Sequence, residues 1–183
     1  MLPAFVAGVE QPVISLNGEW QFRFSPESKW TTIQAPGEAA MQGYAIEHDK
    51  PFRYRKTVTL PADYCNKTVI LRFDGVYSHA RLWVNGTYIR EHFGGFTRWE
   101  TDITQYVRVG KKNEVELEIT DRLDDISYGS GYAHHPIGGI LRDVTIFTLP
   151  VSHISDFQAE TLFDVNYHDA TLKIECLPSV TGG

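Results

Sequence analysis

Apolar residues recur at every second position through most of this chain. Val69, Leu71 and Phe73 share one face of residues 68–74 (TVILRFD), and Ala80, Leu82 and Val84 share one face of residues 79–85 (HARLWVN). Residues 113–120 (NEVELEIT) set Val115, Leu117 and Ile119 against Glu114, Glu116 and Glu118. A period of two marks a half-buried strand, because successive side chains leave opposite faces of the pleat. The same texture predicts strands at 19–24, 53–60, 87–91 and 141–149.

Turn chemistry punctuates these runs. Asn85-Gly86 predicts a two-residue hairpin, since a type I′ turn needs positive φ at both central positions. Asn17-Gly18 is a second such dipeptide, and Gly110 with Asn113 marks a third turn. The helix signal is confined to residues 102–106 (DITQY), where Asp102 can cap a single turn. Many short strands with scarcely any helix predict an all-β, antiparallel sandwich or barrel with one wet face per sheet. Beyond Pro150, residues 155–163 (SDFQAETLF) and 170–177 (ATLKIECL) read as two more strands. Two strands alone are marginal in water. Residues 151–183 are therefore expected to open a second, truncated domain, with 14–150 as the first and 1–13 as an N-terminal extension.

Composition narrows the function more than the fold. A length of 183 residues suits one full domain plus part of another. The formal net charge of −6, with no basic stripe, disfavours nucleic acid as a partner. No apolar run approaches the ~20 residues of a membrane span. The first basic residue is Arg23, so the basic n-region of a signal peptide is not seen. Cys65 and Cys176 form neither a CxxC pattern nor a disulfide framework. No metal or cofactor is expected, and the compartment stays open.

An ordered series of short motifs carries a resemblance. It begins with Leu16-Asn17-Gly18-Glu19-Trp20, Ala35-Pro36-Gly37 and Gly43-Tyr44, followed by Phe73-Asp74-Gly75-Val76, Ala80 and Trp83-Val84-Asn85-Gly86. Phe93-Gly94-Gly95-Phe96, Asp102-Ile103-Thr104, Asn113 and Gly138-Gly139-Ile140-Leu141-Arg142-Asp143-Val144 complete it. Each motif is weak alone, but the series over about 14–149 resembles the N-terminal domain of glycoside hydrolase family 2, the bacterial β-galactosidase and β-glucuronidase group. The resemblance implies a jelly-roll β-sandwich (galactose-binding-domain-like), then an immunoglobulin-like domain that residues 151–183 would begin, then a catalytic barrel. Family members hydrolyse β-glycosides with retention, using two glutamates on the barrel, and a retaining pair sits ~5–5.5 Å apart. The resemblance thus implies no catalytic residue in this chain. Its expected partners are carbohydrate in the context of the full enzyme, the barrel and immunoglobulin-like domains, and a further subunit in a homo-oligomer. A bacterial cytoplasm or periplasm is the implied location.

Two loops hold the candidate contacts. Residues 122–137 (RLDDISYGSGYAHHPI) form a long loop, and long loops in compact domains are often functional. Tyr128, Tyr132, His134 and His135 suit sugar recognition, with flat faces for pyranose rings and polar edges for hydroxyls. The plainer reading is a crossover whose aromatics cover the sandwich edge. Some galactosidases of the family place an acidic residue here that contacts substrate and a sodium ion. This sequence has Ala133 at that position and no carboxylate in 128–137, which argues against a loop-borne sodium site and strict galactosidase specificity. His134-His135 lacks the further ligands that zinc needs. Glu47, His48 and Asp49, in the loop after Gly43-Tyr44, are the other rim candidates, against a solvated turn as the bland alternative.

The remaining candidates read as structural. Glu114, Glu116 and Glu118 belong to a wet face. Arg142-Asp143 is expected within a strand, where neighbours point to opposite faces and cannot act together. Trp20 and Trp83 are expected to be buried rather than to serve as stacking platforms. Asn66-Lys67-Thr68 and Asn85-Gly86-Thr87 fit the glycosylation pattern, the second better explained by its turn. The expected role is a non-catalytic accessory domain of a β-glycosidase. A free-standing carbohydrate-binding module and a pure scaffold are the alternatives.

Overall fold

The computed structural model describes residues 10–122, 136–150 and 152–180. Tyr128, Tyr132, His134 and His135 lie outside them. Fourteen strands are described, in two facing sheets, a small ribbon and a terminal hairpin. The six-stranded sheet runs β3 (Thr31–Ala35), β2 (Gly18–Arg23), β4 (Phe52–Thr59), β10 (Lys112–Thr120), β7 (His79–Val84) and β8 (Thr87–Phe93). The four-stranded sheet runs β1 (Glu10–Ser15), β12 (Val144–Leu149), β5 (Thr68–Phe73) and β9 (Trp99–Asp102). Every pairing is antiparallel. After β4 the chain passes back and forth between the sheets, as a jelly roll does. β6 (Val76–Tyr77) and β11 (Gly139–Ile140) form the two-residue ribbon.

The alternation decides what lies between the sheets. Trp20 and Phe22 of β2, Leu82 and Val84 of β7, and Val115, Leu117 and Ile119 of β10 face Val69, Leu71 and Phe73 of β5 and Ile146 of β12 in one buried cluster. Each such side chain contributes about 1.5–3 kcal/mol relative to exposure. Asn85 and Gly86 have φ of 50° and 80°, as the β7–β8 turn requires. Asn85 also donates to Asn113 Oδ1 (2.9 Å) and to the Tyr106 carbonyl (2.7 Å), so its side chain is engaged inside the turn. Asp102 accepts from the backbone N–H of Thr104 (2.9 Å) at the 3₁₀ turn Thr104–Tyr106, and two further 3₁₀ turns that the sequence did not signal lie at Ala40–Gln42 and Ala62–Tyr64.

On the outer face of the large sheet, Arg53 bonds Glu116 (2.6 Å) and Glu118 (2.7 Å), and Arg55 lies 3.6 Å from Glu114. The three glutamates are a wet face laced by the arginines of β4. Trp83 corrects the expectation of burial: it stands on this outer face, half-buried, with the Arg53 guanidinium 5.2 Å from its ring and Tyr88 edge-on at 5.4 Å. Its phase matches Arg81, not Leu82. Trp20 is buried at 1% exposure and donates to the Leu16 carbonyl.

Several strands went unread in the sequence. β1 begins at Glu10, within the stretch read as an extension, and pairs with β12. β3, β6, β9 and β11 are short. The last two strands, β13 (Ser152–Phe163) and β14 (Ala170–Val180), pair only with each other among the described residues.

Candidate functional site

The loop from Ala45 to Pro51 is held at three points. Gly43, at φ 88°, ends the 3₁₀ turn Ala40–Gln42. Tyr44 then packs its ring 4.5 Å from Phe22 and donates its hydroxyl to the Thr32 carbonyl (2.6 Å). Ile46 is buried, and the Asp49 N–H, at φ 59°, donates to the Asp121 carbonyl (2.9 Å). Between these anchors Glu47 and Asp49 are exposed, and His48 is half-buried.

Asp121 is the centre of this end of the sandwich, and sequence reading missed it. It follows the last residue of β10 and is fully buried. Its Oδ2 accepts the Ile137 N–H (3.1 Å) and lies 2.8 Å from His48 Nδ1, though out of line for a good hydrogen bond. One carboxylate thus joins the rim loop to both flanks of the 122–137 segment. Arg122 is fixed through its N–H on Ser78 Oγ (2.9 Å). On the returning side, the Gly138 and Ile140 carbonyls accept the N–H groups of Ala39 (2.9 Å) and Gly37 (2.8 Å).

The glycine pair is required by this closeness. A Cβ on Gly138 would stand 2.7 Å from Ile46 Cδ1 and from Phe52 Cζ. At Gly139, φ is +138° and a Cβ would meet the Gly37 carbonyl oxygen at 2.8 Å. The Gly-Gly step is thus a packing device that lets residues 136–140 pass under the rim loop.

The loop forms a ridge between two clefts, and Pro51 lines both. On one side, Asp49, His79, Arg81, Glu118, Thr120 and Arg122 surround about 420 Å³ of mixed charge. There Arg122 lies 3.6 Å from Asp49, Arg81 lies 3.5 Å from Glu118, and His79 bonds Glu91 at 3.1 Å. On the other side, Phe24, Ala45, Ile46 and Phe52 wall about 320 Å³, with Ser25, Glu47 and Lys50 at its polar edge. These surfaces present hydrogen-bonding groups beside apolar ones. Their carboxylates sit in ion pairs with arginine or lysine.

A third cleft, of about 550 Å³, corrects the reading of Arg142-Asp143. These residues precede β12 in a bend, and both line this cleft with Pro36, Asp74, Arg98 and Leu141. They are not opposed on a strand. Asp143 accepts from Asn17 (2.7 Å), whose own oxygen accepts the Val144 N–H (3.0 Å). Arg98 bonds Asp74 at 2.6 Å. Asp143 thus ties the start of β12 to the turn at Asn17. The described residues place His48 and Asp49 beside Asp121, while Glu47 turns to Lys50 and the apolar cleft; Tyr128, Tyr132, His134 and His135 fall outside them. Among the described residues no group of three His, Cys, Asp or Glu side chains is placed to hold a metal ion.

The fold is an antiparallel jelly-roll sandwich with clefts lined by its loops. The chain belongs to glycosyl hydrolase family 2, whose sugar binding domain matches residues 9–150. It is 29% identical to a β-galactosidase of Priestia megaterium, over 87% of this chain and 19% of that protein. It is 32% identical to the β-galactosidase of Thermoanaerobacter pseudethanolicus, over 77% and 20%. A β-glucuronidase of Bacteroides fragilis is 31% identical over 78% and 21%. The chain therefore spans about a fifth of the length of these curated relatives. Among solved structures, Ruminococcus gnavus β-glucuronidase superposes with a TM-score of 0.78 at 22% identity, covering 99% of this chain and 35% of that one. Dictyoglomus thermophilum β-D-glucuronidase gives 0.74 at 22%, covering 97% and 34%. These likenesses establish the all-β sandwich fold.

Proposed function

We propose that this chain serves as the non-catalytic N-terminal domain of a retaining β-glycosidase, supporting a catalytic barrel and rimming its active site. The convergence of the 45–51 loop and both flanks of 122–137 on buried Asp121 carries this reading. It gathers the candidate contacts at one end of a rigid sandwich, where a neighbouring domain can meet them. In that role Glu47 and Asp49 accept hydrogen bonds from sugar hydroxyls. His48, with Nδ1 turned to Asp121, offers Nε2. Tyr128, Tyr132, His134 and His135 are proposed as contacts from the second loop. The bond-breaking carboxylates belong to the barrel, where a pair ~5–5.5 Å apart is needed.

Residues 151–183 are proposed to open an immunoglobulin-like domain. The pairing of β13 with β14 puts Phe157, Ala159, Phe163, Ala170, Leu172 and Ile174 on one face, and Gln158, Glu160, Lys173 and Glu175 on the other. That is how a strand pair looks when one side belongs to a core. Contact with a second subunit is part of the same proposal.

The test is direct. Purified chain should turn over none of the chromogenic β-galactoside, β-glucuronide or β-mannoside substrates. Turnover that survives repurification and disappears on substitution within this chain would overturn the non-catalytic assignment.

A further inference from the structure

We propose that the apolar cleft beside the rim loop is a pyranose subsite belonging to this domain itself, taking the flat C–H face of a neutral β-glycoside. The proposal deepens the carbohydrate reading above and rests on it for the class of ligand.

The cleft is built before any ligand arrives. Phe24 forms one wall and remains 43% exposed although its ring is braced edge-on by Phe22 (5.0 Å, 84°) and flanked by Tyr44 (6.2 Å). Tyr44 is itself pinned by its hydroxyl bond to Thr32. Ile46 and Phe52 are buried members of the core, so the base of the cleft is the sandwich and not a mobile side chain. A ring held by aromatic neighbours loses little conformational freedom on stacking, which is how preorganisation adds to affinity.

The polar edge supplies the complementary half. Glu47 Oε2 and Lys50 Nζ lie 2.7 Å apart, an acceptor and a donor side by side at the margin. A sugar ring presents that combination: apolar C–H groups on its face and hydroxyls, each both donor and acceptor, around its rim. The volume, about 320 Å³, falls at the lower end of the roughly 300–1,000 Å³ of small-molecule pockets, which suits one or two rings. The cleft across the ridge is a poorer candidate for stacking, because its lining is charged and polar and offers no exposed phenyl ring.

Titration of the ¹⁵N-labelled chain with methyl β-D-galactopyranoside or methyl β-D-glucopyranoside tests this. Saturable amide shifts are expected at Phe24, Ser25, Ala45 and Glu47, with a dissociation constant of about 1–10 mM for such a small, partly open site. Phe24→Leu keeps apolar bulk and removes the ring; it should weaken binding roughly three- to tenfold. Lys50→Met should weaken it less, and thermal unfolding of both variants should match the parent. Absence of saturable shifts up to about 100 mM, shifts centred elsewhere, or unchanged affinity in Phe24→Leu would each overturn the subsite. None of these outcomes bears on the rim reading, which requires no affinity in this chain alone.

Discussion

Two regions of this molecule are built from the same alternating pattern and reach opposite ends of the burial scale. In the sandwich, the apolar face of β10 disappears completely: Val115, Leu117 and Ile119 are no more than 1% exposed. In the β13–β14 hairpin, Phe157, Phe163, Leu172 and Ile174 remain 55–65% exposed although they line one face as regularly. Period-two patterning specifies which face wants to be covered; a second sheet supplies the cover. The hairpin satisfies its backbone hydrogen bonds without it, and so remains a strand pair with an open apolar side.

The sharpest way to break this comparison is to truncate a ring in each region. Phe22→Ala in the core should cost about 3–5 kcal/mol and lower the melting temperature steeply. Phe157→Ala in the hairpin should change it by no more than about 0.5 kcal/mol. Similar losses in thermal unfolding would mean that the hairpin is packed in solution and that its exposed face is covered.

A smaller effect is expected at the loop end of the sandwich. Asp121→Ala removes the acceptor of the Ile137 N–H and the partner of His48, so a loss of about 1–3 kcal/mol is predicted. Faster proteolysis between residues 122 and 137 should accompany it, ahead of global unfolding. An unchanged melting temperature and cleavage rate would show that the carboxylate does not join the two loops.

The smallest effect concerns pH. Burial, followed by the nearby Asp63 carboxylate, pushes the Tyr64 phenol from 10.0 up to about 12. The unfolded chain releases this proton first, so the contribution is fully present below pH 10 and is lost as pH rises through the folded value. Stability measured by denaturant midpoint should fall between about pH 10 and 12. Tyr64→Phe should flatten that decline. A decline of equal steepness in the variant would remove Tyr64 from the account.

The sequence was most informative where local chemistry and period agreed. Asn85-Gly86 and the β10 triplet gave the correct hairpin and the correct face because turn geometry and alternation are both local. Trp83 departs from the average preference of its residue type because its phase on β7 aligns it with Arg81 and His79. The short strands β9 and β11 bury only a residue or two each, too few to display a period; β9 even turns Thr101 inward. Asp121 was unreadable for another reason. Its role exists only once residues 36–51 and 136–140 arrive from distant parts of the chain, and nothing in its immediate neighbours announces that meeting.

The central claim is that the ridge of residues 47–49, fixed on Asp121, touches the sugar of a glycosidase whose catalytic groups lie elsewhere. Steady-state kinetics of the proposed glycosidase, this domain joined to its barrel and carrying His48→Ala and Asp49→Ala, test it most directly, read together with thermal unfolding. The account predicts that kcat/KM for an aryl β-glycoside falls roughly tenfold or more, while the melting temperature, lowered no further than by Asp121→Ala, stays well above the assay temperature. Unchanged kcat/KM with both side chains removed would contradict it, and the 45–51 loop would then be a solvated turn.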